Sequence, residues 1–263
     1  MNKLLKADFY RILKSKLFLI VAIIAVGLPL LTVLVYLAVD KILVVSADYT
    51  GISGLNMSGR ALISESFVLS SNIGIILPIF ITIFIAMDVS NGTLRNKIIA
   101  GRSRTVIYFS HLISASVISA TLALVSALLF MAFTCLVFGY GAPMDGAEVV
   151  RLVYFLVTGV LTFCFSACIS TAITLCVKSS APAVIISTLV GMGLSIVSSL
   201  VHSADPMLNK QWFCLIPTYT NTQFLAGGVF PAASFWLGVL SYLLFGTVIT
   251  LVGLVLFKKK DIK

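Results

Sequence analysis

The chain has 263 residues, of which 60% are apolar and only 10% are charged, and its mean hydropathy is +1.13. Soluble domains carry about a quarter of their residues as charged side chains, so this composition excludes a water-soluble globular protein. The net charge of +9 does not indicate nucleic-acid binding, because the basic residues form short clusters beside apolar runs. We therefore expect an all-α, multi-pass membrane protein that contacts membrane lipid and binds no nucleic acid.

The first predicted element, residues 1–16, is an amphipathic helix that lies in the membrane interface. One face of this helix is apolar and holds Leu5, Phe9, Ile12 and Leu13. Its lysines and Arg11 lie off that face, where they can approach anionic headgroups. Taken alone, the pattern fits equally well a charged flank of the first membrane span. Residues 17–263 are predicted to form a single transmembrane domain.

Six apolar runs that can cross a bilayer follow. They cover residues 17–39, 66–87, 105–138, 152–176, 181–201 and 235–257. The third run would reach about 50 Å as a straight helix, against a hydrocarbon core of about 30 Å, so we expect it to tilt or to project. Residues 40–65 are expected to form a polar loop. Because no Asp, Glu, Lys or Arg falls inside the six runs, the pattern argues against ion-coupled transporters, channels and pumps.

Six spans place both termini on one side of the membrane, and the basic residues indicate which side. Fourteen of them fall on the side of the termini, namely Lys3, Lys6, Arg11, Lys14, Lys16, Arg95, Lys97, Arg102, Arg104, Lys178, Lys258, Lys259, Lys260 and Lys263. Only four fall on the other side, namely Lys41, Arg60, Arg151 and Lys210. Lysine and arginine favour the cytoplasmic side, so we expect a plasma-membrane protein with both termini in the cytoplasm.

A polar stretch, residues 88–104, separates the second and third spans. Asn91 or Thr93 can cap a short helix there, and Leu94 and Ile98, four residues apart, give that helix an apolar ridge. Gly101 is a predicted helix end and Ser103 a predicted helix start. One interpretation is a solvated loop whose arginines fix topology, and the other is a docking helix for a cytoplasmic partner.

The stretch contains Asp88, then Gly92-Thr93-Leu94-Arg95 and then Arg102-Ser103-Arg104. Through these residues it resembles ABC transporter permeases of the type-2 exporter class, in particular small bacterial permeases of drug or peptide export and of bacteriocin immunity. The resemblance rests on these residues. They match the pattern acid-x-x-x-Gly-Thr-Leu-basic followed by Ser-Arg, with Asp88 where the family often has Glu. Elsewhere the likeness is one of layout, which includes an interfacial start, six spans and a broken hairpin before the sixth span.

The resemblance implies that the stretch is a coupling helix that contacts a separate ATPase. The residues it assigns to this contact are Asp88, Gly92, Thr93, Leu94, Arg95, Ile98, Arg102 and Arg104. The implied partners are two ABC ATPase subunits and a second permease, either another copy or a paralogue. ATP and Mg²⁺ would bind to the ATPases, since this chain has no Gly-x-x-x-x-Gly-Lys-Ser/Thr loop. The chain itself is expected to be neither an enzyme nor a carrier of a cofactor.

Two further features have predicted roles. In the fifth span, small residues recur every four positions at Ser187, Gly191, Ser195 and Ser199. Such a stripe lets two helices approach closely in lipid, either between two permease chains, as the resemblance favours, or within one chain. Before the sixth span, an apolar but broken segment with Trp212, Pro217 and Tyr219 predicts a re-entrant or interfacial hairpin, with the two aromatic residues at headgroup level.

The predicted function is the permease subunit of an ATP-driven exporter that moves an amphipathic peptide or a lipophilic drug. Export of sodium or of a lipid-linked substrate by the same architecture is an alternative. A third possibility, from a different class, is a non-transporting membrane anchor or sensor that recruits a cytoplasmic protein. The five cysteines, an odd number mostly within apolar runs, predict neither a disulfide scaffold nor a metal site.

Overall fold

The computed structural model describes residues 2–50, 58–70, 72–177, 179–208, 211–220 and 232–259. Every regular element within these ranges is helical. The α-helices are α1 (Asn2–Leu13), α2 (Lys16–Thr50), α3 (Gly59–Ile63), α4 (Ile73–Ser90), α5 (Thr93–Ile99), α6 (Arg104–Phe138), α7 (Gly146–Cys176), α8 (Ser180–Leu208) and α9 (Ala232–Lys259). Two short 3-10 helices cover Ser64–Phe67 and Gln211–Leu215.

Six of these helices, α2, α4, α6, α7, α8 and α9, are long and apolar enough to cross a membrane. The chain is therefore an all-helical, multi-pass membrane protein. The predicted spans at 105–138, 152–176, 181–201 and 235–257 all coincide with helices, each of which extends further at one or both ends. Ser103 starts α6 as expected, since its hydroxyl accepts a hydrogen bond from the backbone N–H of Val106.

The first two spans differ from the prediction. The first helix, α2, continues from residue 39 to Thr50, because the apolar run Ile42–Val45 follows Asp40 and Lys41 without a helix breaker. The prediction of a polar loop at 40–65 is thus wrong for residues 40–50, which belong to α2, and for Gly59–Ile63, which form α3. The next span, α4, begins at Ile73 rather than at 66 and ends at Ser90 rather than at 87. Asp88 consequently lies inside this span, in its last turn, which corrects the expectation that the spans hold no charge.

Helices α4 and α7 form the centre of the bundle. About 61% of the apolar window of α4 is buried and 50% of that of α7, against 17% for α9. Helix α7 packs between α6 and α9, and α4 packs against α8 and α2. The outer helices α2, α8 and α9 therefore present most of the apolar surface that faces lipid or a partner.

The two ends of the bundle are built differently. At one end the backbone of Gly59 and Arg60 pairs with that of Gly139 and Tyr140, at 3.0 Å for each N–H···O bond. Phe67 then inserts its ring against Gly159, where a Cβ would lie only 2.3 Å from the ring. The other end carries α1, α5, and Lys258 and Lys259 at the end of α9. We call it the basic end.

Candidate functional site

A largely buried group of ionisable side chains lies at the basic end, and we call it the charge cluster. It consists of Asp8 and Arg11 from α1, Asp88 from α4, Lys97 from α5 and His111 from α6. Asp8 and Asp88 are each only 2% exposed and His111 is 1% exposed. Buried charges are costly unless they are paired and hydrogen-bonded, so the partners of these groups determine whether this end of the bundle is stable.

The two acids and two of the bases form a closed set of ion pairs. Arg11 binds Asp88 through both terminal guanidinium nitrogens, with 2.7 Å from Nη2 to Oδ2. The Nζ atom of Lys97 lies 2.8 Å from Asp8 Oδ1 and 3.1 Å from Asp88 Oδ2. Lys97 therefore bridges the two carboxylates, and two negative charges balance two positive ones. With such bidentate and bridging contacts, the attraction between buried charges can offset the free energy lost when they are removed from water.

Helices α6 and α4 complete the shell around these ions. Ser110 donates a hydrogen bond of 2.7 Å to Asp8 Oδ2, and His111 Nε2 lies 3.4 Å from Asp88 Oδ2. The guanidinium of Arg11 lies over the ring of Phe84, 4.7 Å from its centroid, which adds a cation–π contact. The charge cluster thus fastens α1, α4, α5 and α6 together.

The environment also favours the ionised form of Asp8. Burial alone raises the pKa of this carboxyl, but His111, Lys97 and Ser110 outweigh burial and leave its pKa below the ordinary value. Asp8 therefore stays an anion at neutral pH despite its burial. This anion gives α1 a fixed attachment to Lys97 of α5 and to Ser110 of α6.

The assigned coupling residues do not share one exposed face. Asp88 points into the bundle and pairs with Arg11, so its side chain is not available to another protein. Leu94 is 3% exposed and belongs to the apolar core, and Ile98 packs against that core. This corrects the predicted docking ridge, because Leu94 is buried in the apolar core and Ile98 is half-buried against it.

The start of α5 also differs from the prediction. Gly92 occupies the N-cap position with φ +69°, in the left-handed region that glycine adopts without strain, and no side chain caps the helix. Neither Asn91 nor Thr93 takes the capping role. Gly101, with φ +77°, follows the end of α5 as predicted. Gly92 and Gly101 therefore set the two turns that orient α5.

The opposite side of α5 is exposed, and we call it the α5 outer face. It consists of Arg95, Asn96 and Ile99, of which Ile99 is 73% exposed. Arg102 is exposed beyond it. Arg104 has a different role, since it donates to the backbone carbonyls of Phe257 and Lys258, at 3.4 and 2.8 Å, and so closes the end of α9.

The small-residue stripe of α8 lies inside the chain. Ser187 is 2% exposed and its hydroxyl is 3.0 Å from that of Thr82 in α4. Gly191 and Ser195 are also buried, whereas Ser199 is exposed. Three of the four stripe residues are therefore covered within one chain, where Ser187 contacts α4, and this corrects their assignment to a contact between two chains. The face of α8 that remains open is apolar and includes Leu189 and Ile196.

The broken segment before α9 folds back on the bundle. Its 3-10 helix, Gln211–Leu215, contacts the middle of α9, where Ser241 donates to Leu215 O at 2.8 Å. The backbone N–H of Thr218 donates to the hydroxyl of Tyr242 at 3.1 Å. Residues 209–210 and 221–231 of the predicted segment lie outside the described residues.

Two of the three residues named for this hairpin are buried. Pro217 and Tyr219 lie in the protein interior, and Tyr219 is 1% exposed. Only Trp212, at 71%, is free to lie at headgroup level. The expectation that Tyr219 anchors the segment at the headgroups is therefore wrong, because its ring packs inside the bundle.

Sequence reasoning missed Asp8, Lys97, Ser110 and His111 as members of one site. A signal for Asp8 existed, since it lies four residues before Ile12 and therefore on the apolar face of α1. A lone carboxylate on an apolar helix face needs a buried partner. The sequence carried no comparable signal that α5 and α6 supply that partner, because this depends on the packing of four helices.

The six long apolar helices place the chain in the class of multi-pass membrane proteins. The charge cluster, which attaches the amphipathic first helix to the bundle, is an additional feature of this chain. The family model described as "Protein of unknown function (DUF2705)" matches residues 18–263, and the chain belongs to this family. A search of curated proteins found no match.

Proposed function

We propose that this chain is the permease subunit of an ATP-driven exporter in the plasma membrane, with both termini in the cytoplasm. It would work with two ABC ATPase subunits and a second permease chain, and ATP and Mg²⁺ would bind to the ATPases. The resemblance in residues 88–104, the six spans and the positive-inside pattern support this proposal. An amphipathic peptide or a lipophilic drug is the proposed substrate.

The observation that carries the proposal is the attachment of α5 to the charge cluster. A seven-residue helix on its own is unstable in water, yet Lys97 binds Asp8 and Asp88, and Leu94 lies in the core. A displacement of α5 by a partner would therefore be transmitted to α1, α4 and α6. Rigid transmission of this kind is what an ATPase needs in order to move the spans of a permease.

The α5 outer face is the proposed contact with the ATPase. Ile99 offers an exposed apolar side chain, and Arg95 and Arg102 surround it with positive charge. An apolar centre with a charged rim is the usual composition of a protein interface. This keeps Arg95 as a contact residue and replaces the buried Leu94 and the half-buried Ile98 by the exposed Asn96 and Ile99.

Substrate-stimulated ATP hydrolysis by the reconstituted transporter tests this contact. Ile99→Asp should lower the stimulated rate at limiting ATPase concentration about tenfold or more, because the loss of one anchored apolar contact costs about 1.4 kcal/mol or more. Met144→Asp is the matched control, since Met144 is similarly exposed, at 63%, on the opposite end. An unchanged rate for Ile99→Asp, with normal purification of the complex, would refute the contact.

The same outer face also suits the second candidate function, a membrane anchor that recruits a cytoplasmic protein without transport. The two functions differ in what the partner does. An exporter requires a partner that hydrolyses ATP faster in the presence of the permease and substrate. An anchor would bind its partner through Arg95 and Ile99 and leave ATP hydrolysis unchanged.

A further inference from the structure

A second feature, remote from α5, is a lateral cavity of about 440 Å³ between α6, α7 and α9. This volume lies in the usual range for ligand sites, about 300–1,000 Å³. Its walls include Phe109 and Leu112 of α6, Leu161 and Cys168 of α7, and Gly246 and Leu251 of α9. Leu243 and Leu251 of its lining are more than half exposed, so we infer that the cavity is open on the outer apolar face of α9.

The few polar groups of the lining are bonded within the protein. The Tyr242 hydroxyl is 2.7 Å from that of Thr162 and accepts from the Thr218 N–H. Thr247 donates to the carbonyl of Leu244 at 2.8 Å. The thiol of Cys164 points to Ser116 O, at 4.0 Å. With these groups satisfied, the cavity offers hydrocarbon contacts and suits an apolar chain better than a polar ligand.

The depth of the cavity matches one leaflet of a bilayer. Leu251 lies eight residues before the end of α9 and Tyr242 seventeen, or about 12 and 25 Å at the rise of a helix. Cys168 and Leu161 lie at similar distances, about 12 and 22 Å, from the end of α7 at Cys176. The cavity thus begins near the basic end and reaches the middle of the bundle.

Positive charge lies at the end of the cavity that is nearest the surface. Lys258 and Lys259 are exposed at the end of α9, and Arg104 binds the carbonyl of Lys258. Phe109, on the cavity wall, is five residues from Arg104, or about 8 Å along α6. Basic groups above an apolar groove are the arrangement that recognises an anionic lipid headgroup.

We infer that this cavity binds one acyl chain of an anionic phospholipid, with the phosphate held near Lys258, Lys259 and Arg104. In the proposed orientation the lipid belongs to the cytoplasmic leaflet. The site is independent of the α5 outer face and requires no ATPase, so it stands whether or not the chain is an exporter.

A photoactivatable phosphatidylglycerol with a diazirine on its acyl chain tests the inference in vesicles of phosphatidylcholine. Mass spectrometry of the cross-linked protein should place adducts on the segments of α6, α7 and α9 that line the cavity. The same probe with a phosphatidylcholine headgroup should give roughly tenfold fewer adducts there, a difference of about 1.4 kcal/mol. Lys258→Gln with Lys259→Gln should weaken this preference between headgroups, since only Arg104 of the three proposed phosphate contacts remains.

Two variants that fill the cavity provide the decisive comparison. An added Cβ on Gly246 meets only the Phe165 ring, at 3.9 Å, so Gly246→Phe can place its ring in the cavity. Thr247→Trp should close its lateral opening, and it serves if Gly246→Phe does not fold. Both variants should reduce the number of adducts on the cavity lining about tenfold or more. Val248→Phe, on the exposed face of α9, should keep them.

The inference would be overturned if the exposed faces of α2, α8 and α9 gave as many adducts as the cavity lining and neither filling variant changed the number. Such adducts would come from bulk lipid. An undiminished headgroup preference in the double lysine variant would refute the proposed contact of the phosphate with Lys258 and Lys259.

Discussion

At the scale of single residues, the ion pair between Asp88 and Arg11 is the most consequential contact at the basic end. Asp88→Asn leaves Arg11 and Lys97 with a single buried carboxylate between them. We expect this variant to lose about 3 kcal/mol, at the low end for breaking a buried pair because Arg11 is 36% exposed. The apparent melting temperature in detergent should fall by roughly 6–12 °C, on the scaling of about 2–4 °C per kcal/mol for a chain of this size.

Asp145→Asn is the matched control for this prediction. Asp145 precedes α7, is exposed, and makes no capping hydrogen bond through its side chain. Its substitution should change the melting temperature by no more than a degree or so, as for most surface changes. Equal melting temperatures for Asp88→Asn and the unmodified protein would show that the ion pair contributes nothing net.

Asp8 gives the charge cluster a defined dependence on pH. Its pKa in the folded protein is below the ordinary value of about 3.9. Its contribution to stability is therefore fully present above about pH 4 and is lost as pH falls below that value through the folded pKa. The difference in melting temperature between the unmodified protein and Asp8→Asn should be largest near neutral pH and should shrink below about pH 4. A difference that is the same at all pH values would contradict this assignment.

At the scale of elements, the packing of α8 on α4 makes a prediction about cross-linking. With the five native cysteines replaced, Thr82→Cys combined with Ser187→Cys should form a disulfide within one chain, since the two native hydroxyls are 3.0 Å apart. Thr82→Cys combined with Leu189→Cys is the control, because Leu189 is 61% exposed on the other side of α8. Non-reducing electrophoresis that gave dimers through position 187 would show that the stripe lies between chains.

The elements also show what the sequence could and could not predict. The turn at Gly101 and the start of α6 at Ser103 were predictable, because glycine conformation and serine capping are local effects. The direction that α5 faces was not predictable. Leu94 and Ile98 form an apolar ridge whether α5 packs on the protein core or docks on a partner. Which of the two occurs depends on contacts with Asp8 and Arg11, which are far away in sequence. Likewise, the stripe of α8 fits α4 and a second chain equally well until the bundle is assembled.

At the scale of the whole molecule, the spans themselves were largely predictable from hydropathy and length. The exception was the predicted polar loop at 40–65. Helix α2 continues there to Thr50, and α3 and a 3-10 helix follow from Gly59 to Phe67. Two isolated charges, at Asp40 and Lys41, suggested the end of a helix. Local composition does not reveal that the backbone of Gly59 and Arg60 pairs with Gly139 and Tyr140 across the bundle.

The order of the spans predicts the topology of the protein. Asn96 and Lys259 lie at the basic end and Asp145 at the opposite end, so single cysteines at 96 and 259 should resist an impermeant thiol reagent in intact cells. A cysteine at 145 should be labelled. A cysteine at Gly54, which is outside the described residues, is predicted to behave like one at 145. Labelling of position 96 from outside would contradict both the six-span order and the proposed orientation.

The central claim is that the α5 outer face contacts an ATPase while the charge cluster fastens α5 to the spans. Photo-cross-linking in intact cells tests it most directly, with a benzophenone amino acid at position 99 and, as the control, at position 144 on the opposite end. We predict that position 99 yields an adduct with a protein that mass spectrometry identifies as an ABC ATPase, and that position 144 yields none. An ATPase that copurifies with the chain but cross-links from position 144 and not from position 99 would contradict the account.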